Sequence, residues 1–130
     1  LLRKLQDKTG GFRAFIMWSF QGSNTQLKAE IPDIQPQSSN RYLRLLAVSR
    51  LYLDNFANMQ SSWVTQGSYI GQLALKFGAN DLGSTMMEEN VVKAAGAENR
   101  MNKEEMIRLI KDIGENPAKR NTAYEILERF

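Results

Sequence analysis

The side chains able to do chemistry fall into three polar clusters and one separate guanidinium. Gln21, Ser23, Asn24 and Thr25 form the first cluster, and Gln60, Ser62 and Gln66 the second. Asn80, Asp81, Ser84, Thr85, Glu88, Glu89 and Asn90 form the third, and Arg120 stands in a polar connection near the C-terminus. The chain has no histidine and no cysteine. The commonest general base is therefore missing, as are thiolate zinc ligands, cysteine ligands for an iron–sulfur cluster and any disulfide. Any chemistry done by these residues alone must use carboxylates, amides, hydroxyls, Lys or Tyr. No residue is assigned a catalytic role, and none is assigned as a metal ligand.

Each cluster also has a purely architectural reading. The first is ordinary turn chemistry. Gln60 and Ser62 alternate with Ser61 and Trp63, which suits either a barrel interior near a ligand or an exposed strand edge. Asn80 and Asp81 could close a helix and open a turn. Glu88 and Glu89 could be a solvated helical turn, and they are not a glycosidase pair, because adjacent residues on a helix do not face each other. Arg120 could be half of a surface ion pair. Gly10, Gly11 and Gly78 do not spell the dinucleotide-binding G-x-G-x-x-G, and Met86-Met87 suits packing.

The elements that would position these groups follow from composition and periodicity. The chain has 130 residues, 42% hydrophobic and 24% charged, as an ordinary folded domain does. Its net charge of +3 is small and evenly spread, which argues against a nucleic-acid or membrane partner. No apolar run approaches the roughly 20 residues of a membrane span. Leu1, Leu2 and Leu5 continue a helical pattern with no initiating Met and no signal-peptide core, so a fragment is expected.

Residues 12–20 read as a buried strand, and residues 26–40 as a long polar loop with Pro32 and Pro36. Asn40 reads as the cap of an amphipathic helix through Leu53. Residues 59–65 read as a second strand, 69–77 as a helix, and 80–85 as a third, weaker strand. Asn102 with Glu105 forms a capping box for a helix ended by Gly114, and residues 122–130 read as a final helix. Alternating strands and helices imply right-handed parallel βαβ units. Three such strands close poorly alone. The expected fold class is α/β, the C-terminal part of a (βα)8 TIM-type barrel, comprising its last three βα units plus C-terminal helices. Residues 1–95 would be the barrel portion and residues 96–130 a C-terminal helical extension. Functional groups would then collect at the C-terminal ends of the strands, where the polar clusters fall.

The sequence Phe77-Gly78-Ala79-Asn80-Asp81-Leu82-Gly83-Ser84-Thr85-Met86-Met87-Glu88-Glu89-Asn90-Val91-Val92 resembles the C-terminal signature of the radical S-adenosylmethionine enzymes of the futalosine pathway and of deazaflavin synthesis. Gln60-Ser61-Ser62-Trp63-Val64-Thr65-Gln66-Gly67 and Arg120-Asn121-Thr122-Ala123-Tyr124 are most similar to the branch that cyclises dehypoxanthine futalosine. Thr9-Gly10-Gly11-Phe12, Phe20-Gln21 and Asn24-Thr25 agree, so the resemblance covers the whole chain. Met17 and Ser19 depart from the pattern where proline is common, and Lys119 where glutamine is expected.

This resemblance implies a full-length parent that cleaves S-adenosylmethionine at a 4Fe–4S cluster, in the alternative route to menaquinone. The cluster would be held by cysteines outside this chain. The radical formed would abstract a ribose hydrogen from dehypoxanthine futalosine, and the carbon radical would add to the benzoate ring. The implied partners are this small-molecule substrate and a reductant for the cluster. A cytoplasmic location is expected, the fragment alone would be inactive, and its uncovered sheet would favour self-association. The residues expected to bind substrate or S-adenosylmethionine are Gln21, Asn24, Gln60, Ser62, Gln66, Asn80, Asp81, Thr85, Glu88, Glu89 and Arg120. The alternatives are the deazaflavin synthase and aminofutalosine synthase branches, or a non-catalytic α/β module.

Overall fold

The computed structural model describes residues 1–22, 25–35, 37–85 and 99–130. Helix α1 (Leu2–Thr9) ends at Gly10, whose φ of 56° continues no helix. Gln6 then clips the chain entering the sheet: its amide oxygen accepts from Phe12 N at 2.9 Å and its amide nitrogen donates to Phe12 O at 3.0 Å. Strand β1 (Ala14–Ile16) follows, then α2 (Gln26–Glu30), then α3 (Ser39–Tyr52). Strand β2 (Asn58–Gln60), the short α4 (Trp63–Gln66) and α5 (Ser68–Lys76) come next. Beyond them lie α6 (Lys103–Asp112) and the strands β3 (Ala118–Arg120) and β4 (Ile126–Arg129).

β1 and β2 are parallel, with Ala14 opposite Asn58, Phe15 opposite Met59 and Ile16 opposite Gln60. A third segment continues the sheet through one parallel bridge, Gln60 to Asp81. Its backbone bonds are Asn80 N to Met59 O at 3.0 Å and Ser61 N to Asp81 O at 2.8 Å. The parallel β-α-β-α-β order read from the sequence is therefore present, with α3 and α5 as the connecting helices. The strands are shorter than expected, and the third is a single bridge because Asn, Asp and Gly favour turns over pleated backbone.

Strand alternation sorts the two faces. Met59 is fully buried against Tyr42, Leu46, Phe56 and Ala74, and Phe15 packs on the same cluster. The adjacent row, Ile16, Gln60 and Asp81, belongs to the opposite face. A second cluster, Trp63, Leu82, Met101, Met106 and Leu109, joins α4 to α6. Burying side chains of this size stabilises by about 1.5–3 kcal/mol each.

Several expectations are corrected. The strand expected over 59–65 stops at Gln60, and Trp63 begins a helix. Trp, Val and Thr favour strands locally, but the helical turn buries Trp63 to 1% exposure in the second cluster. Gly71 makes the room, since a Cβ there would lie 2.5 Å from Trp63 Cβ. The cap of α3 is Ser38, whose hydroxyl accepts from Arg41 N, rather than Asn40. The loop over 26–40 contains α2, capped by Thr25. Asn102 caps α6 as expected, accepting from Glu105 N at 2.8 Å.

The final helix expected over 122–130 is instead one arm of an antiparallel hairpin, with Ala118 opposite Arg129 and Lys119 opposite Glu128. Nine residues are too few for a helix to persist without packing. Asn121 captures the backbone first: its Oδ1 accepts from Ala123 N at 2.9 Å and Glu125 N at 3.0 Å. Tyr124 adopts φ 67°, which ends any helical course. The segment expected to be a helical extension is thus one helix followed by a hairpin. Its expected start at residue 96 lies outside the described residues.

Candidate functional site

The site is built on the sheet face opposite the helices. Parallel register brings Ile16, Gln60 and Asp81 into one row across three neighbouring segments. β3 brings Arg120 to this row. Its Nε donates to Asp81 Oδ2, and its Nη2 donates to Asp81 Oδ1 at 2.9 Å. Nη1 donates to Asn121 O at 3.0 Å, and the guanidinium lies 3.9 Å from the centre of the Tyr124 ring. The paired side chains are 22% and 11% exposed, so this is no free surface ion pair.

Asp81 does a second thing. Its Oδ1 accepts from Gly83 N at 2.6 Å, closing a turn just past the strand. Gly83 has φ +83°, and a Cβ there would overlap the Gln60 side-chain amide. Glycine is therefore required both for the backbone and for the space that Gln60 fills. Hydrogen bonding to Asp81 holds the Arg120 guanidinium above its ordinary range. Burial, reinforced by the Asp81 charge, raises the Tyr124 phenol. Arg120 therefore stays cationic and Tyr124 neutral across physiological pH.

A second polar group forms after β1 and β2. Gln66 Nε2 donates to the buried Ser19 Oγ at 2.7 Å, and Gln21 Nε2 donates to Ser19 O at 3.2 Å. The structure thus joins Gln21 to Gln66 through Ser19, and Gln60 to Asp81 and Arg120 through the turn. Thr85 is exposed in the loop beyond Gly83.

Two expected site residues go elsewhere. Strand alternation predicts Ser62 on one face with Gln60, but the strand ends at Gln60 and Ser62 is buried on the helix side. Its N donates to Tyr42 Oη at 2.9 Å, and its Oγ shares a 2.7 Å hydrogen bond with Thr65 Oγ1. Burial raises the Tyr42 phenol, and the bond from Ser62 N opposes the rise. Asn80 turns away from Asp81. Its Oδ1 accepts from Met59 N at 2.8 Å and Arg50 Nη2 at 3.1 Å, and its Nδ2 donates to Ala57 O at 3.1 Å. Arg50 also donates to Gly78 O at 2.7 Å and Phe56 O at 2.9 Å, so this cluster ties α3 to the sheet. Asn24, Glu88 and Glu89 lie outside the described residues.

Sequence reasoning missed Ser19, Gly83 and Tyr124 as members of these groups. Gly83 carried a signal, a glycine two residues after an acidic one at a strand end. Ser19 stands out in the sequence only as a departure from the family pattern, and its hydrogen-bonding role depends on an amide 47 residues away.

Iron–sulfur ligation does not fit these residues. The chain supplies no thiolate, and Asp81 is committed to Arg120 and Gly83. Among the described residues, no group of three His, Cys, Asp or Glu could hold a metal ion. No helix among them is long and apolar enough to cross a membrane.

The family model described as the CofH/MqnC C-terminal region matches residues 9–130. The chain belongs to the CofH/MqnC family. It is 49% identical over 127 residues, 98% of its length, to the cyclic dehypoxanthine futalosine synthase of Streptomyces coelicolor, covering 31% of that protein. It is 47% identical over 129 residues to the enzyme of the same name from Halalkalibacterium halodurans, covering 99% of this chain and 34% of that one. It is 41% identical over 128 residues to the 5-amino-6-(D-ribitylamino)uracil–L-tyrosine 4-hydroxyphenyl transferase of Methanosphaerula palustris, covering 97% and 35%. The chain thus spans about a third of the length of these curated CofH/MqnC relatives, all named as enzymes.

Proposed function

We propose that this chain is the C-terminal third of a radical S-adenosylmethionine cyclase that converts dehypoxanthine futalosine to its cyclic form. The observation that carries this reading is the 47–49% identity, across nearly the whole chain, to two proteins named for that product. The geometry supports it. A parallel sheet has helices on one face, and its other face carries Gln60 and the Asp81–Arg120 pair, as the inner wall of a barrel would. In this reading residues 1–95 are the last part of the barrel, and residues 96–130 are an extension of one helix and one hairpin.

The cluster and its reductant belong to the parent beyond these residues. S-adenosylmethionine, when bound in the parent, supplies the radical chemistry. These residues orient the substrate and exclude water. The Gln60 amide offers a donor and an acceptor on the open face, suited to ribose hydroxyls. Gln21, Gln66 and Thr85 extend that surface from neighbouring strand ends, with Asn24, Glu88 and Glu89 proposed as further contacts. Asp81 and Arg120 form its wall. Ser62, bonded to Tyr42, and Asn80, bonded to Arg50, lie on the helix side of the sheet and away from this surface.

The test is turnover by the full-length parent under anaerobic conditions with reductant and S-adenosylmethionine. Mass spectrometry should detect cyclic dehypoxanthine futalosine. A second reading follows from the 41% identity to the transferase. Incubation with 5-amino-6-(D-ribitylamino)uracil and L-tyrosine is therefore the parallel arm. Product only in that arm would replace the cyclase reading.

A further inference from the structure

We propose that Arg120 is a positioning residue that sets the Gln60 amide through Asp81 and Gly83, and that the surface so formed takes a neutral, hydroxyl-bearing part of the ligand rather than an anion. The inference deepens the cyclase reading and rests on it, because it takes the open sheet face as the ligand side.

The contacts run in one chain. The Tyr124 ring stacks on the Arg120 guanidinium at 3.9 Å and limits its rotation. Arg120 grips Asp81 with two donors, through Nε and Nη2, which fixes the plane of the carboxylate. That plane aims Oδ1 at Gly83 N, 2.6 Å away, and so sets the turn after the strand. The turn leaves Gly83, with φ +83° and no side chain, beneath the Gln60 amide. Moving the carboxylate moves the turn, and moving the turn removes the surface against which Gln60 rests. Arg120 comes 39 residues after Asp81, on a separate hairpin, so the control is tertiary.

The same contacts decide the ligand chemistry. Arg120 spends its charge on Asp81 and a third donor on Asn121 O. An incoming carboxylate would have to break a bidentate pair to reach it. The Gln60 amide has no net charge and suits hydroxyl or amide groups. A ligand carboxylate finds no free Arg120 donor pair here, whereas a ribose hydroxyl finds both a donor and an acceptor on Gln60.

The test is a double-mutant cycle in the full-length parent with Arg120→Ala, Gln60→Ala and their combination. Two readouts are used: KM and kcat, and the calorimetric Kd for dehypoxanthine futalosine without reductant. Arg120→Ala should raise Kd and KM by about tenfold while kcat changes by less than about threefold. In the Gln60→Ala background the same change should shift Kd by less than about twofold, because its target is already gone. Arg120→Lys keeps the charge but not the two-pronged grip, and should follow Arg120→Ala. It carries the cycle if the alanine variant does not fold. An equal loss with and without Gln60, or no loss from either Arg120 variant, would overturn the proposal while leaving the cyclase reading intact. A wild-type parent that neither binds nor turns over dehypoxanthine futalosine would overturn both.

Discussion

Replacing Tyr42 with phenylalanine should destabilise the protein and remove part of its alkaline sensitivity. Tyr42 is fully buried in the core between α3 and the sheet. Its hydroxyl accepts from Ser62 N at 2.9 Å, just where the chain leaves β2 for α4. Phenylalanine keeps the ring and its packing but leaves the buried Ser62 N–H without its acceptor. Stranding a buried donor costs about 1–3 kcal/mol, whereas the ring itself contributes nothing to the difference. For a chain of this size that is a fall in Tm of about 3–12 °C. The pH dependence has a definite sign. Burial raises the phenol in the folded state above its ordinary value near 10. The stability this provides is fully present below pH 10 or so and is lost as pH rises toward the folded-state value. The phenylalanine variant lacks that titration, so the gap between the two proteins should narrow in strongly alkaline buffer. Urea unfolding at neutral pH and at a series of alkaline pH values reads both effects. Ser62→Ala is the control: it keeps the backbone N–H and its bond to Tyr42, and loses only the link to Thr65. A Tyr42→Phe protein within about 0.5 kcal/mol of wild type, with a parallel alkaline profile, would refute the reasoning.

Three further outcomes are expected. Gly71→Ala should cost about 1–3 kcal/mol in urea unfolding, because the added Cβ would lie 2.5 Å from Trp63 Cβ in a packed core. Asn80→Ala should cost about 2 kcal/mol or more, read by the same unfolding, since it strands the partners Met59 N and Ala57 O and frees Arg50 Nη2. The isolated chain should self-associate in light scattering through the apolar face left open at and after β1, where Trp18 is 62% exposed and Ile16 and Phe20 are exposed too. Trp18→Lys should shift it toward monomer, and a monodisperse wild-type monomer would count against that face as the contact.

Local signals made part of this fold legible. The i, i+3 spacing of Leu43 and Leu46 marks part of the buried face of α3, but Leu51 on the same expected stripe is 82% exposed and the fully buried Tyr42 lies outside it. Asn102 followed three residues later by Glu105 marks the start of α6. Alternation of helical and strand patterns gives the parallel order of β1, β2 and the Asp81 segment. Asp81 and Gln60 stand out as polar residues at strand ends, and the structure places them side by side. The motif around Asp81 also carries the family, since a family match is a property of residue order alone.

Tertiary structure and backbone pairing decided the rest. Trp63, Val64 and Thr65 favour strand locally, yet burying one indole against α6 is worth more than the propensity of three residues. Residues 122–130 have a plausible helical pattern, yet Asn121 and the pairing of β3 with β4 draw them into a hairpin. Asn80 and Asp81 are neighbours in sequence and look alike as site candidates. Strand alternation sends one to Arg50 beneath α3 and the other to Arg120 on the open face. Sequence determines that both residues are polar and where along the chain they stand. Which of them faces the open side of the sheet depends on the pleat of a strand held by one bridge among the described residues, and on an arginine that arrives from a hairpin 39 residues later.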